Sequence, residues 1–159
     1  MTRLLGIDLG TKRIGLALGD TVTGSVVPLA TIRRGEVARD ARTIMRIGAE
    51  QRIDELVVGL PLNMDGSEGA QAANTRQWAL AIAQTCPLPL SWRDERRTTE
   101  DALERIGPPA RGKSGGPPSH EARRSYRARL DQLAASAIVQ SEIDARAAMA
   151  ETGEVQGDS

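Results

Sequence analysis

The segment LLGIDLG (residues 4–10) has the composition of a buried β-strand, yet it carries a carboxylate near its centre. Side chains alternate between the two faces of a strand, so Leu5, Ile7 and Leu9 share one face and Asp8 lies between two glycines on the other. Helices on both faces of the strand would shield Asp8 from water. An unpaired buried charge costs at least several kcal/mol, so this position requires a cation or strong hydrogen-bond donors. The flanking glycines favour a functional site over an ordinary cap or salt bridge.

The segments that follow predict an α/β fold with a mixed five-stranded sheet flanked by helices. Three apolar segments separated by short turns predict three antiparallel strands, and two later strands, each preceded by a helix, are expected to pair in parallel. The chain length suits a single domain, which we expect over residues 1–150, with a disordered tail over 151–159. The predicted strands are 4–10, 13–20, 26–34, 54–61 and 88–93, and the predicted helices are 36–52, 70–85, 98–106 and 121–149.

Charge is unevenly distributed along the chain although the net charge is zero. Residues 93–129 carry 10 basic and 6 acidic side chains, whereas residues 130–159 carry 1 and 6. A basic segment of this kind suits phosphate binding, and a solvated loop and helix surface is the alternative. Part of it, residues 107–120, has the Gly, Pro and Ser content of a mobile loop.

The scarcity of cysteine and histidine excludes several kinds of site. Cys86 is the only cysteine and His120 the only histidine. A disulfide framework, a His-based zinc site and thiol–imidazole catalysis are therefore poorly supported. No apolar stretch is long enough to cross a bilayer, so we expect a cytoplasmic protein without membrane contact.

Further carboxylates follow the fifth predicted strand and lie on the last helix. Asp94 and Glu95 stand where that strand ends, and only one of two adjacent side chains can point toward Asp8. Asp131 lies beside small residues at the margin of an apolar helix stripe, and an ion pair with Arg127 one turn earlier is the alternative role. Three carboxylates gathered at one point would suit Mg²⁺ or Mn²⁺, which can support phosphodiester hydrolysis.

Four motifs in the same order resemble the YqgF family, also called RuvX. They are GIDLGTKRIGLALGD (6–20), VVGLPLNMDGSEG (57–69), DERRTT (94–99) and RLDQLAA (129–135). The resemblance implies an RNase H-like fold related to the RuvC resolvases. It also implies a nuclease that matures the 5′ end of precursor 16S rRNA, with ribosomal precursor particles as partners.

The same resemblance implies roles for individual residues. Asp8, Glu95 and Asp131 correspond to the catalytic, metal-binding acids, with Asp94 as the less certain alternative to Glu95. The other matching positions are expected to contact or border the substrate: Lys12, Arg13, Asn63, Ser67, Arg96, Arg127 and Arg129. The glycines of the second motif, Gly59 and Gly66, are expected chiefly to set turn geometry.

Other functions remain open at the level of sequence. The first motif is similar to the phosphate-binding turn of actin-like ATPases and sugar kinases, but that superfamily requires two such lobes. A resolvase acting on branched DNA as a homodimer is an alternative to a monomeric or dimeric RNA nuclease. A module that binds structured RNA through residues 93–129 without cleaving it would tolerate substitution of Asp8.

Overall fold

A computed structural model of the chain describes residues 1–95, 107, 111–112 and 115–157. In this part of the chain five strands form one sheet and three helices pack on it. The predicted helix over 98–106 and part of the 107–120 loop lie outside the described residues. The strands are β1 (Arg3–Leu9), β2 (Arg13–Asp20), β3 (Val26–Arg33), β4 (Glu55–Leu60) and β5 (Leu90–Asp94), and the helices are α1 (Val37–Glu50), α2 (Ala70–Thr85) and α3 (His120–Gly157).

The sheet has the mixed arrangement that the sequence predicts. Its strand order is β3-β2-β1-β4-β5. The first three strands are antiparallel, whereas β4 pairs in parallel with both β1 and β5. The carboxyl ends of β1, β4 and β5 therefore lie at the same edge of the sheet, which is where an α/β sheet commonly places its functional groups.

The two faces of the sheet carry separate apolar cores. Helices α1 and α2 contact each other, and their buried side chains pack against Leu5 and Ile7 of β1. Helix α3 crosses the opposite face, where Val139 packs against Leu4 of β1 and the buried residues around it. The predicted alternation along β1 is thus confirmed, and the face that bears Gly6 and Asp8 is the one covered by α3.

Glycines in the first two strands allow α3 to lie against the sheet. A Cβ on Gly6 would stand 2.2 Å from Val139 Cγ2, and a Cβ on Gly15 would stand 2.1 Å from the carbonyl oxygen of Asp131. Gly15 is also the cross-strand partner of Asp8. The absence of side chains at these positions therefore brings Asp131 over the part of the sheet that holds Asp8.

Helical spacing predicts an apolar face of α1 that is only partly confirmed: Val37, Ala41, Ile44, Met45 and Gly48. The structure buries Ala41, Ile44 and Gly48, but Val37 and Met45 are each 40% exposed, and Asp40 and Ile47 are buried in addition. Asp40 accepts hydrogen bonds from the Gly35 amide at 3.0 Å and from the Trp78 indole at 3.4 Å. These two donors compensate for burying a carboxylate, so the buried face includes Asp40, which the charge pattern places on the opposite, solvent-facing side.

Helix α3 is longer than the sequence predicts. It continues past Met149 to Gly157, so residues 151–157, expected to form a disordered tail, are helical. No proline interrupts this stretch, and its two glutamates and one glutamine favour helix. No helix among the described residues combines the length and apolarity needed to cross a bilayer.

Candidate active site

Asp8 and Glu95 meet at the edge of the sheet formed by the strand carboxyl ends. Asp8 is the penultimate residue of β1, and Glu95 directly follows β5, with its amide donating to the Leu60 carbonyl at 3.1 Å. Strand β4 lies between them, and at this point it presents Gly59. A Cβ on Gly59 would stand 2.9 Å from Glu95 Oε2, so its absence leaves room for the Glu95 side chain. Gly59 therefore serves close approach within a strand, not the turn geometry that the sequence predicts.

A hydrogen bond joins the carboxyl groups of Asp8 and Glu95. Burial, followed by the hydrogen bond and the charge of Asp8, raises the pKa of Glu95 to about 10. Burial is also the main cause that raises the pKa of Asp8, the Glu95 hydrogen bond opposes the rise, and the charge of Asp131 adds to it. Both side chains are partly exposed, yet enclosed enough to disfavour two adjacent negative charges. The raised pKa of Glu95 favours its protonated form, which donates the hydrogen bond to Asp8.

Asp131 stands near this pair but is held by an arginine. Arg13 Nε donates to Asp131 Oδ2 at 2.6 Å, and the two side chains are 35% and 21% exposed. The alternative ion pair of Asp131 with Arg127 is therefore wrong. Because the charge of Asp131 contributes to raising the pKa of Asp8, the three predicted acids lie in one electrostatic neighbourhood.

The donor set suits a hard divalent cation, although it is not fully assembled. Within the described ranges, no three Asp, Glu, His or Cys side chains already converge in a geometry that could hold a metal ion. Two carboxyl groups that share a proton are nevertheless a site where a cation can replace that proton. Their oxygen atoms are of the type preferred by Mg²⁺ and Mn²⁺. Asp131 could join them once its contact with Arg13 is loosened or shared.

The structure distinguishes between the two acids after β5. Asp94 is exposed at the end of the strand, whereas Glu95 is partly buried and bonded to Asp8. The alternation of side chains explains this difference. Glu95 is therefore the member of the pair that faces Asp8.

The loop after β4 is organised by its own polar side chains. Asn63 Nδ2 donates to Ser67 Oγ at 2.9 Å, and Ser67 Oγ donates to Asp65 Oδ1 at 2.6 Å. Gly66 has a φ of +87°, so its predicted turn role is confirmed. The contacts of Asn63 and Ser67 shape this loop, and a substrate-binding role for them stays a prediction.

The remaining predicted substrate residues have different locations. Lys12, Arg13 and Arg127 line a single cavity of about 770 Å³ beside α3. Arg129 is exposed on the same helix and does not line the cavity, and Arg96 lies outside the described residues. Thr31 and Arg33 also line the cavity and were not signalled by the sequence, whereas three more lining residues fall within the basic 93–129 segment without having been singled out: His120, Arg123 and Arg124. The spacing of Arg123, Arg124 and Arg127 along one side of a helix was the available signal.

Comparison with protein families gives a match over nearly the whole chain. The model of the RuvX family, described as "Holliday junction resolvase", matches residues 2–145. A Rhodobacter capsulatus protein named "Putative pre-16S rRNA nuclease" is 48% identical over 96 residues, which is 60% of this chain and 60% of the relative. Relatives of the same name from Paracoccus denitrificans and an Anaeromyxobacter species are 39% and 40% identical over 87% and 91% of this chain, and over 82% and 98% of their own lengths.

Solved structures with a similar fold are resolvases of low sequence identity. Thermus thermophilus RuvC matches with a TM-score of 0.52 and 14% identity, over 92% of this chain and 97% of its own. The Fowlpox virus resolvase, solved with Holliday junction DNA, matches with a TM-score of 0.53 and 12% identity, over 91% and 98%. These matches establish an RNase H-like fold, as the sequence predicts.

Proposed function

This chain belongs to the RuvX family, and on that premise we propose that it is a metal-dependent nuclease that hydrolyses phosphodiester bonds in structured RNA. The observation that supports the proposal most strongly is the hydrogen-bonded pair of Asp8 and Glu95, with Asp131 beside it on the same face of the sheet. Three acids that are far apart in sequence lie in one electrostatic neighbourhood here, and Arg13, beside them, can bind a phosphate group. A purely structural core gains nothing from two carboxyl groups that compete for one proton.

Asp8, Glu95 and Asp131 would hold Mg²⁺ or Mn²⁺. Such an ion supplies Lewis-acid chemistry, because it lowers the pKa of water and stabilises charge on phosphate oxygens. Asp8 and Glu95 bind it as carboxylates, so the proton that they share must leave. Arg13 lies at the margin of this group, where its guanidinium can orient a phosphate while it contacts Asp131. Hydrolysis joins the water oxygen to phosphorus and breaks the bond to the leaving oxygen, which takes up a proton.

Precursor 16S rRNA is the substrate that we propose, because the relatives described above are named "Putative pre-16S rRNA nuclease". The alignment spans only about 60% of the length of the first of these relatives, so the proposal rests also on those matched over more than four fifths of their length. A branched-DNA endonuclease is the second candidate, favoured by the description of the family model. We expect a soluble enzyme that acts as a monomer or homodimer on ribosomal precursor particles.

Cleavage assays with matched substrates test this proposal. A labelled precursor 16S fragment, a single-stranded RNA and a four-way DNA junction would each be incubated with Mg²⁺, Mn²⁺ or EDTA. Wild type would be compared with Asp8→Asn and with Asp144→Asn, a control acid exposed on α3. Asp144 accepts a hydrogen bond from Gln140, and asparagine can still accept it.

The outcomes separate the candidate functions. We expect cation-dependent cleavage of the precursor RNA that is lost in Asp8→Asn and kept in Asp144→Asn. Symmetric cleavage of the junction alone would reassign the protein as a resolvase. Binding without cleavage under every condition, unchanged by Asp8→Asn, would leave a non-catalytic RNA-binding module.

A further inference from the structure

A basic cavity lies next to the carboxylates, between the start of β2, the end of β3 and the first turns of α3. It has a volume of about 770 Å³, within the usual range for ligand sites. Six of its lining side chains are cationic and none is acidic. The lining consists of Lys12, Arg13, Thr31, Ile32, Arg33, His120, Arg123, Arg124, Arg127 and Ala128.

Most of these cations lack acidic partners within the described part of the chain. Only Arg13 forms an ion pair there, with Asp131. Some arginines outside the cavity are ion-paired: Arg76 with Glu68, and Arg146 with Glu142 and Glu55. The side chains of Arg33, Arg123, Arg124 and Arg127 are exposed around the cavity instead. Such a concentration of one charge sign raises the local potential for anions.

The backbone places like charges opposite each other at this site. Arg13 and Arg33 are direct cross-strand partners in the β2–β3 ladder. Like charges in this relationship repel each other, and within the described residues Asp131 offsets the charge of Arg13 alone. The frame around them is well bonded, since the Arg34 amide donates to the Lys12 carbonyl at 2.9 Å and Thr31 Oγ1 donates to the Ala128 carbonyl at 2.7 Å. Six cations on such a frame suit an anion that is extended, not a single small ion.

The cavity is continuous with the carboxylate cluster through one side chain. Arg13 lines the cavity and also contacts Asp131. A chain of phosphates that reaches the carboxylates can therefore continue over Arg13 into the cavity without meeting an acidic lining residue. The guanidinium of Arg13 has five N–H donors, enough to contact Asp131 and a phosphate together.

We propose that the basic cavity binds the phosphodiester backbone of the nucleic-acid substrate beyond the scissile bond, through Arg33, Arg123 and Arg124. This inference rests on the proposed nuclease function and adds a second contact region to it. The contacts are to the backbone, so they increase affinity for a strand long enough to span both regions and have little dependence on base sequence.

Salt-dependent binding tests the inference separately from cleavage. Wild-type protein in EDTA would be titrated into a labelled single-stranded RNA at several salt concentrations, with gel analysis to verify that the RNA stays intact. An Arg123→Gln/Arg124→Gln double variant and an Arg33→Gln variant would be compared with Arg42→Gln. Arg42 is an exposed arginine on α1, which packs on the opposite face of the sheet from α3.

The double variant should bind about tenfold more weakly near physiological salt. Its slope of log affinity against log salt should fall by about 1.4, since each lost contact to a single strand removes about 0.7. Arg33→Gln should lower the slope by about half as much, and Arg42→Gln should leave it unchanged. Slopes equal to wild type in the double variant and in Arg33→Gln would overturn the inference.

Two further arms separate this inference from its alternatives. Inorganic phosphate at matched ionic strength should not displace the RNA; displacement at low millimolar concentration would replace the inference with a site for a single small anion. In Mg²⁺ or Mn²⁺, the double variant should raise KM with kcat unchanged. Failure of wild type and of every variant to cleave, with these salt slopes still as expected, would refute the proposed catalysis and leave the binding surface intact.

Discussion

Arg13 Nε lies 2.6 Å from Asp131 Oδ2, although 118 positions separate the two residues in the chain. This contact joins the start of β2 to the N-terminal third of α3 across the sheet face that carries Asp8. It also gives Asp131 a cationic partner where the proposed function requires it to help bind a metal ion. The positive charge of Arg13 thus partly takes the place of the charge that a divalent cation would supply to Asp131.

Removing this guanidinium should make cation binding easier. Arg13→Met keeps the bulk of the side chain and removes its charge, so Asp131 becomes available beside Asp8. We expect Mn²⁺ to bind the nucleic-acid-free protein about fivefold more tightly. A partly exposed ion pair contributes on the order of 1 kcal/mol, and the metal ion no longer has to compete with it. Calorimetric titration measures this directly.

Arg127→Met is the matched control for that titration. It removes one positive charge one turn before Asp131, from a residue that does not pair with it. Equal tightening in both variants would indicate general electrostatics and would contradict a specific role for the Arg13 contact.

The stability of the metal-free protein should fall as pH rises. The pKa of Glu95 is raised from 4.5 to about 10 in the fold, so the folded protein binds this proton more strongly than the unfolded chain does. The stabilisation that this proton gives to the fold is complete below about pH 4.5 and is lost as pH rises toward 10. Over this range the free energy of unfolding should fall by up to roughly 1 kcal/mol per pH unit. Urea unfolding in EDTA at pH 6, 7.5 and 9 measures the slope.

Glu95→Gln provides the control, because glutamine imitates the protonated acid and does not titrate. In this variant we expect the free energy of unfolding to decrease much less with rising pH than in wild type. At pH 9 in EDTA the variant should be more stable than wild type. The same decline in Glu95→Gln and wild type would show that the Asp8–Glu95 pair is not its source.

Close approach of α3 to the sheet should depend on Gly15. Alanine at this position would put a Cβ 2.1 Å from the Asp131 carbonyl oxygen. This oxygen belongs to the backbone of a long helix, so relieving the clash requires a shift of the helix that costs free energy. We expect Gly15→Ala to destabilise the protein by about 1–3 kcal/mol and to lower activity, because Asp131 is displaced. Thermal unfolding and cleavage rate check the two effects.

Gly153→Ala is the corresponding control on α3. No atom lies within 4 Å of the added Cβ, and alanine favours helix, so the variant should gain up to about 1 kcal/mol and keep full activity. A Gly15→Ala protein as stable and active as wild type would refute the close-packing explanation for the position of Asp131.

The sequence predicts the sheet well because its signals are local. The alternation along β1 places Asp8 on the face that α3 covers, and the adjacent positions of Asp94 and Glu95 imply that only one faces inward. The α1 face is predicted only in part, because periodicity treats Asp40 as a surface residue, whereas the Gly35 amide and the Trp78 indole donate hydrogen bonds to it in the interior.

Features that depend on distant parts of the chain could not be predicted in the same way. The nearest basic residue one helical turn before Asp131 is Arg127, and nothing in the sequence indicates that Asp131 forms its ion pair with Arg13 instead. Likewise Arg33 joins Arg123 and Arg124 only because β3 ends beside the first turns of α3. Such pairs become evident once the strand order and the helix position are known.

Single-turnover cleavage is the measurement that tests the central claim most directly. Precursor 16S RNA would be bound to excess enzyme in EDTA, and cleavage would be started with Mg²⁺ or Mn²⁺, so that binding is complete before chemistry begins. If Asp8, Glu95 and Asp131 form the metal-dependent active site, Asp8→Asn should bind the RNA as wild type does and cleave it at least about a hundredfold more slowly, as expected when the metal loses a ligand. Cleavage by Asp8→Asn at the wild-type rate, or wild-type cleavage that persists in EDTA, would contradict the account.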